Sequence, residues 1–424
     1  MELNHSWNRR SFISALSVAA GSLWNAARAH AWPRPPADKD VSITGFGQTG
    51  EVYAELGVTP VINGQGTMTV LGGSLMRPEV SAVMALAARH FIAIADLEVA
   101  AGKRIAEMLK LPKGYTGLVT SGAAAAIQSG YAGVLTGDNP EFIQRLPDLT
   151  GMKSEVIIQK SHRNPFDHQI RATGAKLVEV ETREDVRRAI SPRTAMLHFS
   201  NFANDSGRIK VDEWVKLAKE NNLPSFNDAA ADVPPVSRLW EYVNMGYDLV
   251  TFSGGKAIRG PQSAGLLLGR EDLVSYALLN NCPNEDTLGR SQKVGKEEIV
   301  GMVKALELFL AEDHDALLQE YWRRLDYISQ EVTRIHGVST AFHFNPKQIA
   351  NHTVSMQIFW DPRHISIGAR EVSDQLKSGK PSIVLGGGGR GSDGVGLSAW
   401  MLQPGEEKII AERMVEILRA HSIA

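Results

Sequence analysis

The chain has 424 residues, a formal net charge of −2, 43% apolar residues and 22% charged residues. These values exclude a wholly disordered chain, and the near-neutral balance argues against broad electrostatic capture of nucleic acid. The single cysteine, Cys282, excludes an internal disulfide framework and any zinc site built from several cysteines. The length predicts one large domain or two domains of medium size.

Residues 1–31 have the features of an export signal. Arg9-Arg10 precede a mildly apolar stretch that runs to about Leu23, and Ala29-His30-Ala31 has the A-x-A form of a cleavage site. The paired arginines resemble a twin-arginine signal, which predicts a periplasmic or extracellular protein. The apolar stretch is too short for a stable membrane anchor, so we expect only transient contact with the export machinery. Residues 32–58 are expected to form a linker and an N-terminal segment.

Short apolar runs alternate with amphipathic stretches from about Thr59 to Arg270. The strand candidates are Gly117–Thr120, Val156–Gln159, Lys176–Val180, Ala195–Phe199, Pro224–Asn227, Asp248–Phe252 and Ala264–Leu268. The helix candidates are Pro78–Phe91, Leu97–Leu111, Ala123–Leu135, Arg183–Ile190, Val211–Asn221 and Arg238–Met245. This alternation predicts an α/β fold, with a large domain at residues 59–290 built on a mostly parallel seven-stranded sheet.

The pattern changes after Asn281. Lys293 to His336 is typical of one long amphipathic helix. Further elements are expected at Thr353–Phe359, Ala369–Lys377, Ser382–Leu385 and Glu406–His421. They predict a smaller C-terminal α+β domain at residues 291–424.

A glycine run in this smaller domain, Gly386–Gly391, matches the G-x-G-x-x-G pattern of dinucleotide sites. A dinucleotide site needs a helix directly after the glycines, and the sequence that follows does not favour one. We therefore expect a flexible loop of the small domain here.

The most informative motif is the stretch from Thr251 to Lys256, in which a buried strand candidate ends in a glycine turn and presents a lysine. Ligands bind at the carboxyl ends of strands in open α/β sheets. A lysine there forms a Schiff base with a carbonyl cofactor when its neutral form is accessible, although a lone loop lysine is more often simply solvated. Ala257 and the leading spacing exclude a Walker A phosphate loop.

Two upstream motifs supply partners for this lysine. Asp228 ends another strand candidate, where a carboxylate suits a protonated pyridine nitrogen or, alternatively, caps the next turn. Ser121-Gly122-Ala123 opens a small-residue helix whose free N–H groups and dipole suit a phosphate, or which simply packs closely on the sheet. Ser253 would add a hydroxyl to that phosphate. The order of phosphate cradle, aspartate and lysine is that of fold-type-I pyridoxal-phosphate enzymes.

Four stretches resemble the selenocysteine-synthase-like (SelA-like) group of these enzymes, which includes D-glucosaminate-6-phosphate ammonia-lyase. They are Ile62–Thr69, Leu71–Val80, Ser161–His168 and Ser253–Gln262. The resemblance covers roughly Tyr53 to the C-terminus. It implies pyridoxal 5′-phosphate as the cofactor, a small-molecule amino acid or amino sugar acid as the substrate, and a homodimer or higher homo-oligomer.

The resemblance also implies roles for the matching positions. Lys256 would hold the cofactor and move the substrate α-proton, and Asp228 would bind the ring nitrogen. The phosphate would be held by Ser121, Gly122, Ala123 and Ser253.

For the ring and the substrate, the resemblance leaves several candidates. His162 would stack on the ring, with His168 as the second candidate and a structural hydrogen bond as the alternative role of either. Arg77, Arg259 and Arg390 are the candidates for a substrate carboxylate, because a guanidinium binds carboxylates in a bidentate fork, although each is individually more typical of a surface arginine.

Several reactions are compatible with this site. The export signal and the slightly acidic balance argue against an aminoacyl-tRNA substrate, so no nucleic-acid partner is expected. We expect α,β-elimination of the ammonia-lyase type, with racemisation or transamination as alternatives, because all begin with loss of a group at Cα. The intact Asp228 and Lys256 disfavour a non-catalytic exported binding protein. A metallohydrolase using His162, His168, Asp228 and Asp232 lacks a compact ligand motif, so no metal is expected.

Overall fold

The computed structural model describes residues 51–387 and 394–423. The predicted export signal and most of the predicted linker lie outside these residues. Helix α1 (Val52–Glu55) belongs to a unit that ends at Pro60, and Val61 begins a second unit that contains all the other elements. Within the described ranges, no helix is both long enough and apolar enough to span a bilayer.

The second unit contains two β-sheets. The strands are β1 (Val61–Gly64), β2 (Tyr115–Thr120), β3 (Glu155–Gln159), β4 (Lys176–Val180), β5 (Thr194–Ser200), β6 (Ser225–Asp228), β7 (Leu249–Ser253), β8 (Gly265–Arg270), β9 (Val338–His343), β10 (Ser355–Trp360), β11 (Ser382–Gly387) and β12 (Gly394–Ser398). Strands β2 to β8 form one sheet in the order β2-β8-β7-β6-β5-β3-β4. Only β8 runs against its neighbours, so the predicted mostly parallel seven-stranded sheet is confirmed.

Helices enclose this sheet on both faces. The α-helices of the second unit are α2 (Pro78–Ala87), α3 (Ile94–Leu109), α4 (Ala123–Thr136), α5 (Pro140–Arg145), α6 (His168–Ala172), α7 (Arg183–Ala189), α8 (Val211–Glu220), α9 (Arg238–Met245), α10 (Glu271–Leu279), α11 (Lys296–Ala311), α12 (His314–Val332), α13 (Ala369–Ser378) and α14 (Glu406–Ala420). Helices α4, α6 and α10 share one core cluster with the sheet, and α3, α8, α9 and α11 share another. Burial on both faces explains why the strands read as continuous apolar runs.

The smaller sheet has the strand order β1-β11-β12-β10-β9 and packs against α12, α13 and α14. Val61–Gly64 lies within the segment predicted as the large domain, but it pairs in parallel with β11. Four residues with two apolar side chains carry too little pattern to identify a partner strand. From Gly394 onwards the chain forms strand β12 and not a helix, as the sequence indicated, and residues 388–393 of the predicted loop lie outside the described residues.

The prediction of one long helix between Lys293 and His336 is wrong. The chain forms α11 and α12, with a break at Glu312 and Asp313. Asp313 caps the second helix, since its Oδ1 accepts the N–H of Ala316 at 2.9 Å. The apolar spacing continues across the break, so periodicity alone does not reveal it.

A buried carboxyl group on α3 makes the stability of the fold depend on pH. Glu98 is 2% exposed, and its Oε2 has no hydrogen-bond partner among the described residues. Burial raises the pKa of Glu98 to about 8, and a hydrogen bond with the backbone of Val119 on edge strand β2 only partly offsets this. The folded protein therefore disfavours the ionised form of Glu98. The free energy of unfolding falls as pH rises from the pKa of this carboxyl in the unfolded chain towards 8.

We expect Glu98→Gln to remove most of this pH dependence. The wild-type protein should lose on the order of 3 kcal/mol of stability through this group between pH 5 and pH 8, whereas the neutral amide has no such cost. Thermal unfolding midpoints measured across this range check the result. Glu107→Gln, on the exposed side of the same helix, is the matched control. Parallel pH curves for wild type and Glu98→Gln would contradict the assignment.

Candidate active site

Asp228, the lysine motif and the start of the phosphate motif meet at the edge of the large sheet where the parallel strands end. Asp228 is the last residue of β6 and lies between Ser200 of β5 and Thr251 of β7. Gly265 at the start of β8 pairs with both Ser253 of β7 and Thr120 of β2. The sheet register therefore brings the aspartate, the lysine motif and the beginning of the phosphate motif to one place.

Lys256 lies in a tight turn that follows β7. The N–H of Ser253 donates to Ala230 O at 3.2 Å, and that of Arg259 donates to Lys256 O at 2.9 Å. The Nζ of Lys256 makes no hydrogen bond or ion pair with any residue that the structure describes. Burial lowers the pKa of Lys256, while the carboxylates of Asp228 and Asp232 act in the opposite direction. A lowered pKa makes the neutral, nucleophilic amine available.

Two of the family-like stretches pack directly on this turn. Gly73 has a φ of +74°, and a Cβ there would lie 2.7 Å from Gly255 O. The side-chain amide of Gln262 donates to Thr69 O at 2.9 Å. The stretch from Ile62 to Val80 therefore supports the backbone that presents the lysine, and only glycine fits at the closest approach.

Asp228 offers a buried carboxylate beside the lysine turn. It is 5% exposed, and its Oδ1 accepts the N–H of Ala230 at 3.2 Å. Burial raises the pKa of Asp228, and the charge of Lys256 partly offsets this shift. A protonated ring nitrogen beside it would favour the ionised form of this carboxylate.

The sequence predicts a phosphate cradle at the start of α4. Gly122 has a φ of +86° and provides no side-chain cap, and the Ala126 N–H is the first to bond back, to Gly122 O at 3.1 Å. The N–H groups of residues 123–125 have no hydrogen-bond partner in the described ranges. The hydroxyls of Ser121 and Ser253 are likewise free of described partners. Free N–H groups at a helix start suit a phosphate, so these residues fit the phosphate end of pyridoxal phosphate.

We expect Gly265→Ala to weaken binding of pyridoxal phosphate by about 10- to 100-fold, the equivalent of about 1–3 kcal/mol of overpacking. A Cβ at Gly265 would lie 2.6 Å from Gly122 C and 2.7 Å from Ala123 N, so it would displace the cradle. Titration of cofactor absorbance measures the affinity. Gly368→Ala is the control, because its nearest contact would be an ordinary 3.7 Å. Unchanged affinity in Gly265→Ala would contradict this placement of the phosphate.

His162 does not have an open ring face in this structure. It is 0% exposed, its Nδ1 accepts the N–H of Ser200 at 3.2 Å, and its Nε2 lies 3.1 Å from Gln159 Nε2. Its ring packs edge-on against Phe199 at 4.5 Å between centroids. Burial lowers the pKa of His162 to about 4, so the ring is neutral. Stacking on a cofactor would first require movement of this ring, and the geometry matches the structural alternative.

His168 lies on the surface at the start of α6. Its Nδ1 is 3.3 Å from Arg171 Nη2, and the side chain is exposed. The second candidate for ring stacking therefore has a surface contact in this structure.

A hydrogen-bonded chain of polar side chains next to Asp228 was not predicted from the sequence. Tyr131 Oη lies 2.9 Å from His198 Nδ1, and His198 Nε2 lies 3.0 Å from Ser200 Oγ. Asn164 Nδ2 donates to the same hydroxyl at 3.2 Å. Burial lowers the pKa of His198 to about 3, so this ring is also neutral. Ser200 pairs with Asp228 in the sheet, so this hydrogen-bonded chain reaches the end of β6.

The candidate arginines lie at different places. Arg259 lines a cavity of about 300 Å³, together with Ala257 of the lysine turn and Trp400 of the smaller sheet region. Its Nε donates to Leu75 O at 2.7 Å. Burial and the nearby guanidinium of Arg77 lower the pKa of Arg259.

Arg77 is already paired and is therefore a weaker candidate for a substrate carboxylate. It forms an ion pair with Glu312 and donates through Nη1 to Ile258 O at 3.3 Å. Arg390 lies outside the described residues. The described residues contain no group of three or more His, Cys, Asp and Glu side chains arranged to hold a metal ion.

The doubly covered sheet, the lysine turn, the buried aspartate and the phosphate cradle define a fold-type-I pyridoxal-phosphate enzyme. Comparison with known proteins agrees. The SelA family model, described as L-seryl-tRNA selenium transferase, matches residues 61–375. The D-glucosaminate-6-phosphate ammonia lyase of Salmonella typhimurium is 29% identical over 346 residues, which cover 79% of this chain and 89% of that protein.

Two further relatives extend the comparison. The 5′-C-glycyluridine monooxygenase-decarboxylase of a Streptomyces species is 28% identical, with 87% of this chain and 92% of that protein covered. A solved structure of D-glucosaminate-6-phosphate ammonia-lyase is 27% identical and has a TM-score of 0.74, with 87% of this chain and 98% of that chain covered.

The chain belongs to the SelA family, because the family model spans well over half of it. The predicted fold, enzymatic character and pyridoxal 5′-phosphate cofactor are therefore confirmed, and the chain is a lyase or transferase of this family. The cofactor's phosphate, ring nitrogen and aldehyde carbon each have a fitting group in this chain: the α4 cradle, Asp228 and Lys256.

Proposed function

We propose that this protein is a pyridoxal-phosphate lyase that releases ammonia from an amino acid or an amino sugar acid by α,β-elimination. The observation that carries the proposal is the free Lys256 amine beside the buried Asp228 carboxylate and the α4 cradle. The ammonia-lyase outcome is supported by the relative from Salmonella typhimurium, which bears that name and matches 79% of this chain.

The net reaction can be written for a 2-amino-3-hydroxy acid. The substrate loses the proton at Cα and the hydroxyl at Cβ, and the unsaturated amine that remains takes up a proton at Cβ to give an imine. Water then hydrolyses the imine to a 2-keto acid and ammonia. The water lost in elimination equals the water used in hydrolysis, so no oxidant or reductant is required.

The chain's own residues divide this work. The Lys256 amine takes the proton from Cα, and its lowered pKa keeps the neutral form available for this. The Arg259 guanidinium, in the cavity beside the lysine turn, is the group we assign to the substrate carboxylate. Pyridoxal phosphate, when bound, supplies an electron-accepting ring, which the Asp228 carboxylate keeps protonated.

A substrate panel tests the proposal. Purified full-length protein is incubated with amino acids and amino sugar acids, with and without a β-hydroxyl, and ammonia and keto acid are measured. Equal yields of both products from β-hydroxylated substrates, with no added acceptor, support the lyase. Loss of optical purity without ammonia would instead support a racemase, and dependence on an added keto acid would support an aminotransferase.

Oxidative decarboxylation is a further outcome that the panel should measure. The Streptomyces relative is a monooxygenase-decarboxylase and matches 87% of this chain. The panel therefore includes assays of oxygen uptake and carbon dioxide release. Release of carbon dioxide with oxygen consumption would overturn the lyase proposal.

We also propose that the protein is exported. The support is the Arg9-Arg10 pair, the apolar stretch and Ala29-His30-Ala31. Residues 1–40 fused to a reporter that functions only after export provide the test, with Arg9-Arg10 changed to two lysines as the control. Equal reporter signal in both would contradict the proposal.

A homodimer or higher homo-oligomer is proposed as well. Apolar side chains beside the lysine turn are exposed in the single chain: Met68 is 45%, Val70 84% and Leu75 56% exposed. Such a patch next to the site favours coverage by a second copy. Light scattering coupled to size exclusion measures the mass, and a monomer at micromolar concentration would contradict this.

A further inference from the structure

A second buried carboxylate lies near the lysine turn and has no role in the mechanism above. Asp232 is 1% exposed. It closes a short turn that begins directly after Asp228, since its N–H donates to Ala229 O at 3.1 Å. Burying a carboxylate costs free energy unless it has hydrogen-bond or charged partners. The groups around Asp232 therefore indicate its role.

Two side chains fix this carboxylate through a single oxygen. Asn201 Nδ2 donates to Asp232 Oδ2 at 2.6 Å, and Tyr242 Oη donates to the same atom at 2.7 Å. Asp232 Oδ1 has no hydrogen-bond donor among the described residues. The carboxylate is thus held in one orientation with one oxygen free for another group.

The turn that contains Asp232 is joined to the lysine turn by its backbone. The N–H of Ala229 donates to Thr251 O at 3.1 Å, and the N–H of Ser253 donates to Ala230 O at 3.2 Å. Ala229 and Ala230 therefore lie along the end of β7, the strand that leads into the turn of Lys256. The charge of Asp232 acts on Lys256 together with that of Asp228 and favours the ammonium form.

We propose that Asp232 is a positioning residue for Lys256, with Asn201 and Tyr242 holding its carboxylate so that it stabilises the ammonium form of the lysine beside Asp228. The proposal rests on the proposed function only in taking Lys256 as the reacting amine. The carboxylate would assist whenever the lysine carries the proton that it has taken from the substrate.

Burial and the neighbouring groups together set the pKa of Asp232. Burial raises the pKa of Asp232 to about 7, and the charge of Asp228 acts in the same direction. The hydrogen bonds from Tyr242 and Asn201 and the charge of Arg238 act in the opposite direction. Asp232 therefore gains its charge as pH rises through about 7. Its support of the lysine ammonium is absent in acid and present above neutral pH.

The test measures Lys256 directly. Full-length protein without added cofactor is labelled with trace acetic anhydride across pH 6 to 10, and mass spectrometry gives the acetylation rate of the Lys256 peptide. We expect Asp232→Asn to acetylate about tenfold faster than wild type at pH 8, because removal of a nearby opposite charge lowers the pKa of the amine by about one unit. Tyr242→Phe should shift the rate in the same direction by a smaller factor.

The controls separate this role from a structural one. Glu155→Gln removes a carboxylate at the opposite, amino end of β3, where it pairs with Arg193 at 2.7 Å, and should leave Lys256 labelling unchanged. If Asp232→Asn does not fold, Tyr242→Phe keeps the test decisive. A wild-type labelling profile in every folded variant of Asp232 and Tyr242 would overturn the proposal.

A second readout uses the cofactor-loaded protein. The pH at which its visible absorbance changes should move to lower values in Asp232→Asn, in parallel with the labelling result. Absence of visible absorbance in the wild type would count against the proposed function, while the labelling result would still decide the role of Asp232.

Discussion

Lys256→Ala is expected to lower turnover by about 10⁴-fold or more, the upper end of what positioned proton transfer contributes. The variant lacks the amine that the turn after β7 presents. The α4 cradle and Asp228 are untouched, so pyridoxal phosphate should still bind, but without a covalent link. Steady-state turnover on the best substrate of the panel gives the size of the effect. Borohydride reduction followed by mass spectrometry should label Lys256 in the wild type only.

Two comparisons make this result specific to the amine. Lys256→Arg keeps the positive charge but presents no neutral amine, so it should be as inactive as the alanine variant. Lys103→Ala, at an exposed position of α3, should behave as wild type. Turnover within tenfold of wild type in Lys256→Ala would remove the basis of the proposed function.

The sequence predicts the candidate site because several of its residues end strands. Buried parallel strands read as continuous apolar runs, so the residues that end them, such as Asp228 and Ser253, are easy to find. The same argument would have found Ser200 and Asn201, which directly follow the candidate Ala195–Phe199. They were missed because serine and asparagine after a strand are also ordinary turn residues.

Other features depend on contacts between distant segments, which residue order does not show. Strand β1 lies next to β11 although they are more than 300 residues apart in the chain. His162 was assigned by its place in a family-like stretch, but Gln159, Phe199 and Ser200 enclose its ring. Asp232 was visible only as a possible metal ligand, since its partners Asn201 and Tyr242 come from other elements.

Asp228→Asn is expected to lower turnover by about 10²- to 10³-fold, the cost of removing one partner of a buried charge pair. The amide has nearly the same shape and can still meet the Ala230 N–H with its oxygen. It has no charge with which to keep a ring nitrogen protonated, so the loss should appear in turnover and far less in cofactor affinity. A separate titration of cofactor binding distinguishes the two effects.

The expected effects of Asp228→Asn and Asp232→Asn differ, and the difference tests both assignments. Asp228 lies in the sheet between Ser200 and Thr251, whereas Asp232 is held by Asn201 and Tyr242 in the following turn. If Asp228 acts on the ring and Asp232 on the lysine, Asp228→Asn should be the more damaging to turnover. Asp232→Asn should mainly shift the pH at which Lys256 reacts. An Asp228→Asn enzyme with wild-type turnover would show that the ring nitrogen is not bound at the end of β6.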